Sequence, residues 1–284
     1  MKNSTILVAI GKDASTSNLV AKLEAIRDMS AHAVILVIGQ LPVLPYYAVG
    51  VPPYGTPDLP IEWQKEVSAH KTALNEKAEE IKTLLQEHDV SGEVSIVASE
   101  PTFVADIIAR RAMICDFALI GDDLRKDEAM FRQITYGILF QSPIGLLLND
   151  HELKALKNPK RVFVAWTTHL HSARAVHQAL PLLRQADEVV IGTVDPVMTK
   201  SCEGEDPGVD VAKWLTHHGC KVVVQQFPSG GRGIGECIQE RAKESGADLI
   251  VMGSYGHSRT RQAIFGGTTR TLIEQTDQAV FLVH

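Results

Sequence analysis

The stretch GSYGHSRTRQAIFGGTTR, Gly253 to Arg270, gathers the residue types that hold an anion. Glycine lets the backbone approach a phosphate with no Cβ in the way, and its tolerance of positive φ lets successive N–H groups converge on one charge. Gly253 and Gly256 would shape the first part of such a loop, with Tyr255 between them, and Gly266 and Gly267 precede TTRTLIEQ, a segment of helical character. The N-terminal amides and dipole of a helix there favour negative charge, and Ser254, Thr268 and Thr269 add hydroxyl donors. The alternative is a turn that is merely rich in small residues, because an isolated G-x-x-G usually binds nothing. His257 would reach a phosphate or a ribose, or only water. Arg259, Arg261 and Arg270 would clamp phosphate, or remain solvated or in subunit contacts.

Other constellations are weaker. His169, His171 and His177 suggest metal ligands, but an i, i+2 spacing splits the first two between helix faces and no carboxylate lies beside them. His217 and His218 are expected at a helix end. The sequence offers no Walker lysine after the glycines, no H-E-x-x-H and no nucleophile elbow, so no catalytic residue is assigned and at most slow hydrolysis of a bound phosphate compound is expected. Ser229 to Gln239, SGGRGIGECIQ, carries a second glycine loop, read as a helix-opening turn or as a flank of the same crevice. A net charge of −6 without a basic field excludes a broad nucleic-acid surface. Cys115, Cys202, Cys220 and Cys237 are scattered without C-x-x-C spacing, which suits a reducing cytoplasm. The apolar run near the N-terminus is too short for a signal core or a membrane span, so a cytoplasmic protein with no membrane partner is expected.

The elements that would position these residues are written twice. STILVAIGKDASTSNLVAKLEAI and PKRVFVAWTTHLHSARAVHQALPLL each read as a buried strand, Thr5 to Ile10 or Arg161 to Trp166, then a polar turn and an amphipathic helix. AHAVILVIGQ matches ADEVVIGTVD as a second strand, CDFALIGDD matches ADLIVMGSYG as a fourth, and PIGLLLN matches AVFLVH as the last. Helices are expected over Ile61 to His88, Thr102 to Met113, Val209 to His218 and Ile234 to Ser245. Apolar strands alternating with helices indicate a parallel sheet covered on both faces. The fold class is therefore α/β, with two tandem doubly wound domains, each a five-stranded parallel sheet flanked by helices. The domains are expected at 1–150 and 158–284, with the boundary in the polar segment Asp150 to Lys160. Six prolines between Gly39 and Pro60 exclude regular helix or inner strand and make that segment a contact surface or an irregular excursion, with Tyr46, Tyr47 and Tyr54 as anchors of a contact.

In such a sheet, ligands bind beyond the carboxyl ends of the strands, and Gly253 directly follows the strand Asp248 to Met252. The series Gly253-x-x-Gly256, nine residues, Gly266, then Gly267-Thr268, resembles the G-2x-G-9x-G-(S/T) ATP-binding motif of the universal stress proteins. GADLIVMGSYGHSR and VFVAW are also similar to that family. The resemblance spans the whole chain as two tandem domains and is specific in the second half. It implies ATP, or ADP or AMP, with or without Mg, and pairing of the two domains through their last strands. It puts Gly253, Gly256, Gly266, Gly267, Thr268 and Thr269 around the phosphates, Met252 and Gly253 near the ribose, and Ala165, Trp166, Thr167 and Val194 beside the adenine. Two positions depart from the family pattern: Thr167 stands where many nucleotide-binding members have aspartate, and Gly267 where serine or threonine is usual.

The first half lacks the motif. Gly121 remains, but Leu124 replaces the second glycine, and Asp122, Asp123, Asp127 and Glu128 present acid where phosphate needs donors. These acids read as a solvated, degenerate loop, or as a divalent metal site. The chain is thus expected to be a stress-response protein that binds an adenine nucleotide in its second domain. The alternative is a protein interaction module that binds none. A protein partner and a homodimer are expected possibilities alongside a monomer.

Overall fold

The computed structural model describes residues 3–44, 59–199, 206–254 and 266–284. The chain forms two compact units, one made of Lys2–Cys115 with Ile120–Gly137, the other of Asp116–Leu119 with Ile138–His284.

In the first of these units the strands β1 (Thr5–Gly11), β2 (His32–Gln40) and β3 (Gly92–Ser99) are parallel in the order β3-β2-β1. β1 is buried from Ile6 onward and β2 from Ala33 to Ile38, whereas the edge strand β3 is only partly covered, as burial on both faces of inner strands requires. The helices are α1 (Thr16–Asp28), α2 (Ile61–Glu87) and α3 (Pro101–Ala112). Ser15 caps α1 by accepting the Asn18 N–H, and Pro101 opens α3, where its missing N–H costs no helical bond. Of the proline-rich segment, Gly39 and Gln40 still belong to β2, and the Trp63 indole N–H on α2 donates to the Pro42 carbonyl at 3.0 Å. Tyr46, Tyr47 and Tyr54 lie outside the described residues.

The second unit contains α5 (Lys154–Lys157), β6 (Arg161–Ala165), α6 (Leu170–Leu183), β7 (Glu188–Val194), α7 (Val209–His217), β8 (Val222–Phe227), α8 (Ile234–Glu244), β9 (Leu249–Gly253), α9 (Gly267–Glu274) and β10 (Val280–Val283). The five strands of the second sequence half are parallel in the order β10-β9-β6-β7-β8, the α/β arrangement the repeat predicts. From the first half, β4 (Phe117–Ile120) pairs in parallel with β5 (Gly145–Leu148), and β5 runs antiparallel to β10, Leu147 opposite Phe281. Between β4 and β5 lie a 3-10 turn, Asp122–Lys126, and α4 (Glu128–Gln141). The pairing of the last strands of the two halves is therefore present, and the Phe281 ring lies where a side chain at Gly145 would project.

Asp150–Lys160 is folded. The Asp150 carboxylate accepts the Ala155 and Leu156 N–H groups at 3.1 and 2.8 Å, and Leu153, Ala155 and Leu156 are buried. Its polar residues face outward around this short capped helix. β6 ends one residue before Trp166, whose N–H nevertheless donates to the Gly192 carbonyl at 2.9 Å.

Candidate functional site

The carboxyl ends of β6, β7 and β9 open on a cleft of about 290 Å³, near the lower bound of ~300 Å³ for small-molecule pockets. Ala165, Trp166 and Thr167 reach it from the end of β6, Gly192 and Val194 from β7, Met252 and Gly253 from β9, and Thr268 and Thr269 from the first turn of α9. Eight residues singled out by sequence, all of these but Gly192 and separated by as many as 104 positions from Ala165 to Thr269, are so brought to one cavity. Ile234 and Ile238, one turn apart on α8, supply an apolar wall, and His169 and Ser172 come from the start of α6. Sequence reasoning does not place His169, Ser172 or Gly192 at the cleft, whereas Ile234 and Ile238 belong to Ser229 to Gln239, the segment read as a helix-opening turn or a flank of the same crevice. The i, i+4 pair of isoleucines was the available signal.

The glycines divide by physical cause. A methyl group at Gly253 would sit 2.5 Å from the His171 carbonyl carbon and 2.6 Å from the Ser172 nitrogen, so the approach of α6 to β9 requires glycine there. One at Gly192 would fall on the Phe163 ring. Gly267 differs: nothing lies within 4 Å of a side chain built on it, and it is exposed at the opening of α9. No packing within the described residues accounts for a glycine at that place. Gly266 is the N-cap of α9 and does not line the cleft. Ser254 is fully buried: its N–H donates to the Val283 carbonyl at 2.6 Å, which carries it away from the cleft. Tyr255, Gly256, His257, Arg259 and Arg261 lie outside the described residues.

Three helices begin beside this cavity. His169 caps α6, Gly233 caps α8 and Gly266 caps α9, and none of the three makes a side-chain capping bond. A helix start without a side-chain cap leaves backbone donors and the positive end of a dipole for another partner. Among the described residues, the lining contains no lysine, arginine, aspartate or glutamate. The cleft is therefore suited to a ligand with an apolar, flat or aliphatic part against Ile234, Ile238 and Val194, and an anionic part toward the helix starts. Thr167 and Ser172 hold each other through their hydroxyls at 3.0 Å, so threonine here makes a neutral pair where a carboxylate would add charge.

Two groups brace the rim. The Asp195 carboxylate, just after β7, accepts the Ser229 N–H at 2.9 Å, and the Ser229 hydroxyl and N–H hold its pKa below the ordinary carboxylate value. The second glycine loop is thereby tied to the end of β7. Behind Gly253, His171 and His284 stack with ring centroids 4.3 Å apart, Phe140 lies 4.5 Å from the His284 ring, and His284 Nδ1–H donates to the Ser254 carbonyl at 3.0 Å. Burial lowers the His171 pKa, and the positive charges of His284, Arg174 and His169 push the same way. His169 stands at the start of α6 and lines the cleft, His171 is held in a ring stack, and His177 packs on Trp214 at 4.4 Å with His218 at 4.2 Å on the same indole.

The corresponding place in the first half is a cleft of about 250 Å³ lined by Ile10, Asp13, Lys22, Gly121, Asp122, Asp123 and Lys126 among others. Here the Asp123 carboxylate accepts the Gly11 N–H at 2.7 Å. Burial raises its pKa, opposed by that hydrogen bond. Asp127 accepts the Met130 N–H at 3.0 Å in the first turn of α4. The acids that sequence reading placed in a solvated loop are, for these two, backbone acceptors. Among the described residues no group of three His, Cys, Asp or Glu side chains could hold a metal ion. No helix of the described residues is long and apolar enough to cross a membrane.

The model of the Universal stress protein family matches residues 158–284. A universal stress protein from Archaeoglobus fulgidus DSM 4304 is similar in structure over 99% of this chain and 96% of its own, with a TM-score of 0.71 and 19% identity. A protein of unknown function from Pseudomonas aeruginosa PAO1 is similar over 99% of this chain and 92% of its own, with a TM-score of 0.54 and 15% identity. These likenesses concern the fold. No curated protein matches the chain.

Proposed function

We propose, from the match of residues 158–284 to the model of the Universal stress protein family, that the chain is a tandem universal stress protein that binds an adenine nucleotide, ATP or its relatives ADP and AMP, in the second-half cleft. It acts in the cytoplasm in the stress response as a sensor or regulator. The observation that carries this reading is the convergence of three helix starts without side-chain caps on one cleft with an apolar wall. The base lies against Val194, Ile234 and Ile238, and the phosphates lie at the start of α9, where Gly267 leaves the backbone open and Thr268 and Thr269 offer hydroxyls. Magnesium, where it accompanies the nucleotide, neutralises phosphate charge in a lining that supplies no cation among the described residues. No side chain of the described lining is placed as a general base for an attacking water beyond His169, so the nucleotide serves as a signal and turnover is slow.

A second reading is favoured by Gly192 and Gly253, which packing explains by itself, and by the neutral Thr167. In it the cleft is a structural remnant and the working surface is a protein contact. Thr268→Glu separates the two. A carboxylate in the first turn of α9 suits the helix dipole, so the fold is kept, but it repels phosphate inside the cleft. Calorimetric titration with ATP and magnesium should show binding to the parent chain and at least tenfold weaker binding to the variant. Equal affinity in a folded variant places the nucleotide elsewhere, and no binding to either leaves the protein-contact reading.

A further inference from the structure

The first-half cleft lies at the ends of β1 and β4, as the second-half cleft lies at the ends of β6 and β9. Gly11 closes β1 and Gly121 follows β4, with the Gly121 N–H donating to the Ala9 carbonyl at 2.7 Å. A side chain at either glycine would meet the same object. A Cβ on Gly11 would stand 2.6 Å from Asp123 Oδ2, and one on Gly121 would press on Asp123 Oδ1. The two glycines thus form a cradle whose contents are one carboxylate, fixed by the Gly11 N–H at 2.7 Å.

We infer that the first half retains an oxyanion site and fills it from within: the Asp123 carboxylate occupies the place of a ligand's phosphate or carboxylate and shuts the cleft to anions. The surroundings support this. Lys22 and Lys126 line the same cleft and would favour an incoming anion, while Asp13 and Asp122 also face it. With Asp123 ionised, acids outnumber lysines there; without it, the two signs are equal in number. The start of α4, the helix that follows Asp123 in the chain, is treated in the same way, since Asp127 takes the Met130 N–H that opens it, and Ser15 caps α1 at the cleft itself, whereas the start of α9 has no side-chain cap. Loss of glycines alone would leave an open loop. The structure instead supplies a carboxylate acceptor to the Gly11 N–H in the cleft and another to the Met130 N–H at the start of α4. Asp123 acts as a specificity determinant that keeps the first half free of phosphorylated ligands.

The test is independent of the second-half reading if that cleft is blocked by Thr268→Glu throughout. The probe is inorganic tripolyphosphate, titrated by calorimetry into the full chain. The blocked parent should show no heat of binding from the first half. Adding Asp123→Ser together with Asp127→Ser, which keeps a hydroxyl cap on α4, should raise affinity about tenfold or more, because one like charge leaves the cleft and a second leaves the start of α4. Adding Lys22→Ala to that variant should reverse the gain. A folded double variant with no gain overturns the inference, as does a gain that Lys22→Ala leaves untouched. If the serine variant does not fold, Asp123→Asn with Asp127→Asn keeps both acceptors in shape and removes both charges. The same gain, or its absence, decides the question.

Discussion

Replacing Gly253 and Gly267 by alanine, separately, tests whether the site has been built correctly from its parts. At Gly253 the new methyl group would stand 2.5 Å from a carbonyl carbon and 2.6 Å from a backbone nitrogen of α6, and neither atom can turn aside as a side-chain tip would. Either α6 or the end of β9 must move, and such overpacking costs about 1–3 kcal/mol. At Gly267 the methyl group meets nothing within 4 Å, and φ is not in the positive region, so alanine gains helix propensity and loses chain freedom only in the unfolded state. That substitution should stabilise by roughly 0.4–1 kcal/mol. Since ~1 kcal/mol moves the midpoint by about 2–4 °C in a domain of this size, Gly267→Ala should melt slightly higher and Gly253→Ala several degrees lower, as followed by circular dichroism. Their effect on ATP should be inverted relative to stability: Gly267→Ala weakens binding in a more stable protein. The reasoning is refuted if Gly253→Ala melts like the parent, or if Gly267→Ala destabilises.

Gly192→Ala should cost about 1–3 kcal/mol by driving a methyl into the fully buried Phe163 ring, and combining it with Phe163→Leu should cost less than the sum of the two single changes in urea unfolding. Acid should destabilise the protein through His171: its folded pKa lies below the unfolded value, so its contribution is complete above about pH 6.5 and is lost as pH falls through the folded value. His171→Phe should flatten that part of the stability profile, and an unchanged slope would contradict the assignment. Asp123 has the opposite sign. With its folded pKa raised by burial, stability falls as pH rises from the unfolded carboxylate value through the folded one. Asp123→Asn keeps an oxygen for the Gly11 N–H and should be the more stable protein at neutral pH, with the difference vanishing in acid.

Much of the fold was legible because the inner strands are continuous apolar runs and the helices between them have clear periods. Ile61–Glu87 and Val209–His217 end within a residue of their expected limits. Eight lining residues were legible because strand ends in a parallel sheet face one crevice. What could not be read was direction and cause. Ser254 follows Gly253 by one residue, yet pairing with Val283 buries it, since alternate residues of an extended segment face opposite sides. Gly253 reads as a phosphate residue from its sequence context, but the constraint the structure shows on it is packing against α6. The acids at 123 and 127 looked solvated because local sequence does not show that backbone N–H groups of Gly11 and Met130 lie within reach. Asp150–Lys160 read as a polar boundary, although its own carboxylate caps a buried turn there.

The central claim is that the second-half cleft holds an adenine nucleotide. The measurement that meets it most directly is mass spectrometry of the small molecules released on denaturing freshly purified protein, followed by calorimetric titration of the emptied chain with ATP and magnesium. A single adenine nucleotide per chain, rebound after removal and lost in Thr268→Glu, is the expected result. An empty protein that ignores added nucleotide would contradict it and leave the cleft as a packing feature of the fold.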